Sequence, residues 1–144
     1  MAKATHLADT SAFTRLGNPT VRAAAAPLIA AGRVALCTPV VFELGFSARN
    51  PGDYEELISR TGAFEIAPTT QGDLHRALDI QAQLARRGMH RAVSLVDALV
   101  AAVAESRGLI VLHYDADFER VAAVTGQTVE WVVPRGTAEN EVSQ

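Results

Sequence analysis

Short apolar runs alternate with longer stretches of helical periodicity along the chain. Residues 5–8, 34–37, 64–67, 109–113 and 128–132 each read as a short strand bounded by turn or capping residues. The unbroken apolar character of 109–113 is that of a strand covered on both faces of a parallel sheet. Asp9-Thr10-Ser11 caps a helix that runs to Leu16, and Gly17-Asn18-Pro19 breaks it. Residues 20–31 are alanine-rich and helical, with Pro27 predicting a kink or an end. Thr38-Pro39 is a favoured helix start that carries Glu43 toward Ser47, and residues 53–60 form a further helix. Thr70 with Asp73, and Ser94 with Asp97, share capping-box spacing, with Asp in place of the usual Glu. These open helices to Arg87, stopped by Gly88, and to Ser106, stopped by Arg107-Gly108. Residues 96–104 are apolar nearly all round, which predicts a central helix, and 117–125 forms the last one. Strands alternating with helices predict an α/β fold: one domain over residues 1–133, built on a central, mostly parallel sheet of about five strands with helices on both faces. Residues 134–144 read as a polar tail with no buried role.

A chain of 144 residues is long enough for a sizeable single core, and its 49% hydrophobic and 20% charged residues are those of an ordinary globular protein. No apolar run reaches the roughly 20 residues that span a bilayer, and a strand follows Lys3 where a signal peptide would place its apolar region, so a cytoplasmic protein is expected. Cys37 is the single cysteine, which excludes an internal disulfide and a thiolate zinc cluster and leaves an inert core thiol.

Four carboxylates stand where apolar sequence stops or turns. Asp9 follows His6-Leu7-Ala8; Glu43 lies inside Pro39-Val40-Val41-Phe42-Glu43-Leu44; Asp97 interrupts Ser94-Leu95-Val96-Asp97-Ala98; and Asp115 ends the run through His113-Tyr114. Acids embedded in core-forming sequence carry a desolvation penalty unless a cation or good hydrogen bonds compensate. In open parallel sheets ligands bind beyond the carboxyl ends of the strands, where Asp9 and Asp115 would share one rim. An all-oxygen donor set suits a hard divalent cation, Mg²⁺ or Mn²⁺, and a site of that kind suits phosphodiester hydrolysis. Each acid also has a plainer reading: Asp9 as a strand-end cap, Asp97 as the third residue of a capping box, and Asp115 or Asp117 as a helix cap. The formal net charge of −3 does not exclude a nucleic acid, because five acids held by a cation leave the rest of the chain slightly positive. Every basic residue but Lys3 is arginine, which suits phosphate but also follows from a GC-rich genome.

Leu7-Ala8-Asp9-Thr10-Ser11-Ala12, Val41-Phe42-Glu43-Leu44, Leu95-Val96-Asp97-Ala98-Leu99-Val100-Ala101-Ala102 and Leu112-His113-Tyr114-Asp115-Ala116-Asp117-Phe118 occur in an order and spacing that resemble the PIN-domain family. They are most similar to the toxin ribonucleases of bacterial VapBC toxin–antitoxin pairs, and the resemblance covers residues 5 to 133. It implies a Mg²⁺- or Mn²⁺-dependent endoribonuclease with Asp9, Glu43, Asp97 and Asp115 at the metal centre and Asp117 as a supporting ligand. Ser11 would contact a metal water or the scissile phosphate, with a helix cap as the equal alternative. The resemblance further implies an RNA substrate, a homodimer, and a cognate antitoxin whose C-terminal segment covers the active-site groove.

Other residues read more plainly. Arg86, Arg87, His90 and Arg91 form the one dense basic stretch, read as a solvated helix end rather than an RNA contact. Arg15 and Arg49 could reach the rim. His6, His75, His90 and His113 lack metal-ligand spacing and read as structural or surface residues. Trp131 reads as core, as do Phe13, Leu16, Phe46 and Leu57, whose alternative is a dimer or antitoxin groove. Two rival functions share the fold class. A phosphoacceptor signalling domain ordinarily uses a lysine, and Lys3, the sole lysine, precedes the first strand. A non-catalytic RNA- or protein-binding module would tolerate neutralisation of the acids. A DNA nuclease would use the same kind of centre.

Overall fold

The computed structural model describes residues 3–139. In chain order the elements are β1 (His6–Ala8), α1 (Thr10–Phe13), α2 (Pro19–Ala30), β2 (Val34–Cys37), α3 (Thr38–Phe46), α4 (Pro51–Thr61), β3 (Glu65–Ala67), α5 (Gln71–Arg86), α6 (Leu95–Ser106), β4 (Ile110–His113), α7 (Asp117–Thr125) and β5 (Val129–Trp131). The five strands form one sheet in the order β3-β2-β1-β4-β5, every pair parallel. The predicted α/β architecture is therefore present, with β2 as expected and the other strands one or two residues shorter than the apolar runs suggested.

Strand alternation explains how both faces of the sheet are covered. Val111 belongs to the cluster with Leu7, Ala35 and the α6 residues Val100, Val103 and Ala104. Its neighbour Leu112 joins Ala12, Val21 and Ala25 of α1 and α2 instead. The other side of α6, through Ala98, Ala101 and Ala102, packs against Ala77, Ile80 and Leu84 of α5 and Val121 of α7. A helix with sheet on one side and two helices on the other needs apolar residues all round, as its sequence predicts. Gly88 and Gly108, the expected helix stops, both take left-handed φ, at 69° and 64°.

The helix expected over residues 20–31 is present as α2, which continues through Pro27 to Ala30; Pro27 lies in the last turn and is exposed, so only one backbone bond is lost. Two expectations need correction. Phe46 is not core: it is 90% exposed, and its neighbour on the same helix face, Phe42, is 78% exposed. The segment after Pro134 is not a free tail. Ala138 is buried against Tyr114 and Val132, and the Tyr114 hydroxyl accepts the N–H groups of Gly136 (2.9 Å) and Ala138 (3.0 Å) while donating to the Glu139 carboxylate (2.9 Å). Residues 140–144 of the expected tail lie outside the described residues.

The Tyr114 hydroxyl thus secures the end of the described chain to the sheet. Tyr114→Phe leaves the buried Ala138 N–H without its acceptor, an expected loss of about 1–3 kcal/mol. In a thermal melt this corresponds to a fall on the order of 3–10 °C; an unchanged melting temperature would show that the hydroxyl does not secure 134–139.

Candidate metal centre

The strand order reverses between β1 and β4, since the chain steps outward from β1 through β2 to β3 and then returns to the other side of β1. A crevice opens at such a switch point beyond the carboxyl ends of the strands. Asp9 directly follows β1 and its N–H donates to the Leu112 carbonyl of β4 at 2.9 Å, which locks the two strand ends side by side. Asp115 lies two residues past β4. Asp97 sits in the first turn of α6, which packs on both strands. Glu43 reaches the same region from the middle of α3.

Asp97, Asp115 and Asp117 each present a carboxylate oxygen within 4.8 Å of the other two. Asp9 and Glu43 stand outside that tight trio but act on it electrostatically. Burial pushes the Asp97 carboxyl up to about 8, with the charges of Asp9, Asp115 and then Glu43 adding to the rise. Burial likewise raises Asp9 to about 6, against the lowering effect of its hydrogen bonds from Ser11, with Glu43 adding repulsion. All five acids read from the sequence thus belong to one neighbourhood.

The hydrogen bonds discriminate between the plain and the chemical readings of each acid. At α5 the capping box is reciprocal: Thr70 accepts from the Asp73 N–H, and the Asp73 carboxylate accepts from the Thr70 N–H. At α6 only half of it forms. Ser94 accepts the Asp97 N–H at 3.1 Å, but the Asp97 carboxylate does not return a bond to the Ser94 N–H; it faces the Ser94 hydroxyl and the carboxylates of Asp115 and Asp117. Asp9 does cap α1, its Oδ2 accepting the N–H (3.0 Å) and hydroxyl (2.6 Å) of Ser11. Its Oδ1, however, is enclosed and has no hydrogen-bond partner. Asp115 Oδ1 accepts the Asp117 N–H at 2.9 Å, so Asp115 caps the start of α7 with one oxygen. Asp117 pairs with Arg120.

Neighbouring groups set the positions of these acids. Ser11 Oγ accepts the Tyr114 N–H at 2.8 Å, tying α1 to the loop that carries Asp115. His113 is fully buried between Phe118 and Trp131, and its Nδ1 accepts the Asp115 N–H at 3.1 Å. Burial lowers its pKa to about 4, so the ring is neutral and able to accept. It is structural, as its sequence context suggested, yet it orients Asp115. Lys3 precedes β1, at the opposite end of the strands, where it can neutralise no group at this rim. Arg15 does reach the rim, whereas Arg49 is exposed and engages Asp53 one turn ahead of it. Trp131 is only half-buried and directs its Nε1 to Glu119.

The donors fit a divalent cation. They are all oxygens, three already converge, and one buried oxygen, Asp9 Oδ1, lacks any partner. Without a cation these carboxylates resist ionising together: burial first, and the like charges beside them second, hold Asp9 and Asp97 above the usual carboxylate range.

Comparison with known proteins agrees with this geometry. The family model for the PIN domain matches residues 7–124. Ribonuclease VapC51 of Mycobacterium tuberculosis is 46% identical over 132 residues, covering 92% of this chain and 96% of that protein. Ribonuclease VapC21 of the same species is 45% identical over 134 residues, covering 92% and 97%. The DNA-bound VapBC crystal structure from Salmonella typhimurium has the same fold, with a TM-score of 0.73 at 22% identity over 90% of this chain and 99% of that one. The chain belongs to the PIN-domain family and, within it, to the VapC group.

Proposed function

We propose that the protein is a divalent-metal-dependent endoribonuclease, the toxin of a toxin–antitoxin pair, and that Asp9, Glu43, Asp97 and Asp115 form its catalytic centre with Asp117 in support. The observation that carries this reading is the carboxylate of Asp97, buried among like charges and within 4.8 Å reach of Asp115 and Asp117. Near-full-length identity to proteins named ribonuclease VapC supports the substrate class.

Asp97, Asp115 and Asp117, with the free Oδ1 of Asp9, would hold Mg²⁺ or Mn²⁺, and Glu43 would complete the set from α3. When bound, such a cation activates water and neutralises charge on phosphoryl oxygens. The chain's own groups do the positioning. Ser11 spends its hydroxyl proton on Asp9 Oδ2 and one lone pair on the Tyr114 N–H, so it keeps one lone pair and no donor. It therefore suits a water molecule better than a phosphate oxygen. Asp115 is held by its N–H bond to His113 and by its own cap of α7, which leaves its second oxygen for the crevice.

The antitoxin would cover the apolar groove beside Glu43. Pro39, Phe42, Phe46, Val96 and Leu99 line about 400 Å³ there, and the exposure of Phe42 and Phe46 is unexplained by the fold of one copy. Among the described residues no helix is long and apolar enough to cross a membrane; we place the protein in the cytoplasm, as a homodimer.

Purified protein freed of any copurified inhibitor, incubated with total cellular RNA and Mn²⁺, is expected to release discrete fragments, and none with EDTA. Cleavage that survives EDTA would reject metal dependence. No cleavage of RNA, with cleavage of DNA instead, would reassign the substrate.

A further inference from the structure

A second, polar cavity of about 360 Å³ opens beside Asp115 and shares no lining residue with the groove of Phe42 and Phe46; Ser11, Arg15, Tyr114, Trp131, Arg135 and Glu139 line it among others. Its size lies at the small end of ligand pockets, ~300–1,000 Å³, and suits a single nucleotide. Its chemistry is unlike that of the metal centre. The Arg15 guanidinium lies over the Tyr114 ring, 4.7 Å from its centroid, and its Nη1 donates to the Ser11 carbonyl at 2.8 Å. Its Nε is enclosed without a partner. The Arg135 guanidinium lies 5.9 Å from the Trp131 centroid, and Trp131 stands edge-on to Tyr114 at 5.4 Å. Among the described residues neither arginine has a carboxylate within ion-pair distance. Glu139, the acid of this cavity besides Asp115, is engaged by the Tyr114 hydroxyl.

We propose that this cavity holds the unpaired nucleotide next to the scissile phosphate, with Arg15 on its phosphate and its base stacked on the Arg135–Trp131 pair. Arginine forks suit phosphate, and bases of single-stranded RNA stack on aromatic rings and guanidinium planes. Position supports the assignment: the Ser11 hydroxyl that lines the cavity also holds Asp9, and Asp115 borders both sites. Segment 134–139, which carries Arg135, is therefore part of the substrate surface, fixed there by the Tyr114 hydroxyl. The proposal rests on the nuclease reading given above, and names the part of the substrate that the centre's neighbour grips.

Trp131 is the only tryptophan in the chain and lines this cavity, so its fluorescence can report on occupancy there. Wild-type protein is titrated with a short single-stranded oligoribonucleotide of mixed sequence, in EDTA to prevent cleavage, over a series of salt concentrations. Quenching of Trp131 is expected. Arg135→Ala, at an exposed loop position that spares the fold, is expected to weaken binding on the order of tenfold. Arg15→Ala is expected to lower the slope of log affinity against log salt by about 0.7, the signature of one lost phosphate contact, and Arg15→Lys to retain that slope. Binding and cleavage by wild type, with unquenched Trp131 and both alanine variants binding equally well, would overturn the cavity's role while leaving the nuclease reading intact. Failure of wild type both to bind the oligoribonucleotide and to cleave RNA with Mn²⁺ would overturn both. A Trp131 response to an acidic peptide but not to the oligoribonucleotide would overturn the proposal in favour of a protein ligand.

Discussion

Asp97→Asn is expected to reduce RNA cleavage by about a thousandfold or more while raising the melting temperature of the metal-free protein at pH 8. The two effects share one cause. Asp97 is buried, and its charge is opposed by Asp9, Asp115 and Glu43. An amide of the same size removes a ligand oxygen's charge, and a loss of roughly 4 kcal/mol of transition-state stabilisation corresponds to that rate. The same change relieves like-charge crowding in the absence of metal. Helix α6 should start normally, because Ser94 caps it through the Asp97 backbone N–H and not its carboxylate. Asp73→Asn is the control. Asp73 closes its capping box with its carboxylate, so its neutralisation should lower stability by about 1 kcal/mol and leave cleavage per folded molecule intact. Steady-state cleavage and thermal melts of the two variants side by side check this. Equal activity of Asp97→Asn and wild type would reduce Asp97 to a structural residue.

The second large effect is a pH-dependent exchange of protons for metal. In the metal-free fold Asp97 keeps its proton to about pH 8, whereas in the unfolded chain it loses it near 3.8. The folded state therefore binds more protons across that range, and its stability falls as pH rises through it. Asp9 acts in the same direction up to about pH 6. His113 acts oppositely, because its lowered pKa of about 4 makes stability rise with pH toward 6.5. Between pH 6.5 and 8 the Asp97 contribution remains alone of these three. Stability in EDTA is expected to drop there by up to about 2 kcal/mol, and Asp97→Asn should flatten the profile. With saturating Mn²⁺ this decline is cancelled, since the cation displaces the proton and its apparent affinity grows by up to about tenfold per pH unit. The gain in melting temperature on adding Mn²⁺ should thus be larger at pH 8 than at pH 6.5; a gain independent of pH would place the cation elsewhere.

What the sequence disclosed follows from which contacts are local. Asp9 and Asp115 were legible because each ends an apolar run, and parallel strands bring such ends to one rim. The helix that carries Asp97 was legible from its apolar girth. The difference between Asp73 and Asp97 was not: both occupy the third position of a capping box, and tertiary packing decides that one carboxylate accepts its cap residue's N–H while the other does not. Phe46 could not be told from core, because exposure of an apolar side chain depends on what α3 faces after packing on α4. Residues 134–139 read as tail because their anchor, the Tyr114 hydroxyl, is more than 20 residues away in sequence and leaves no local pattern. The meeting of Arg135 with Tyr114 and Trp131 leaves no local pattern for the same reason.

The centre itself is open to direct observation by anomalous diffraction from crystals soaked in Mn²⁺. A peak is expected among the carboxylates of Asp97, Asp115 and Asp117, with Asp9 Oδ1 turned toward it, at the oxygen distances of a hard divalent cation, about 2.0–2.6 Å. A crevice without a peak in crystals that bind Mn²⁺ elsewhere, or a peak that none of Asp9, Asp97 and Asp115 touches, would contradict a metal centre at this switch point.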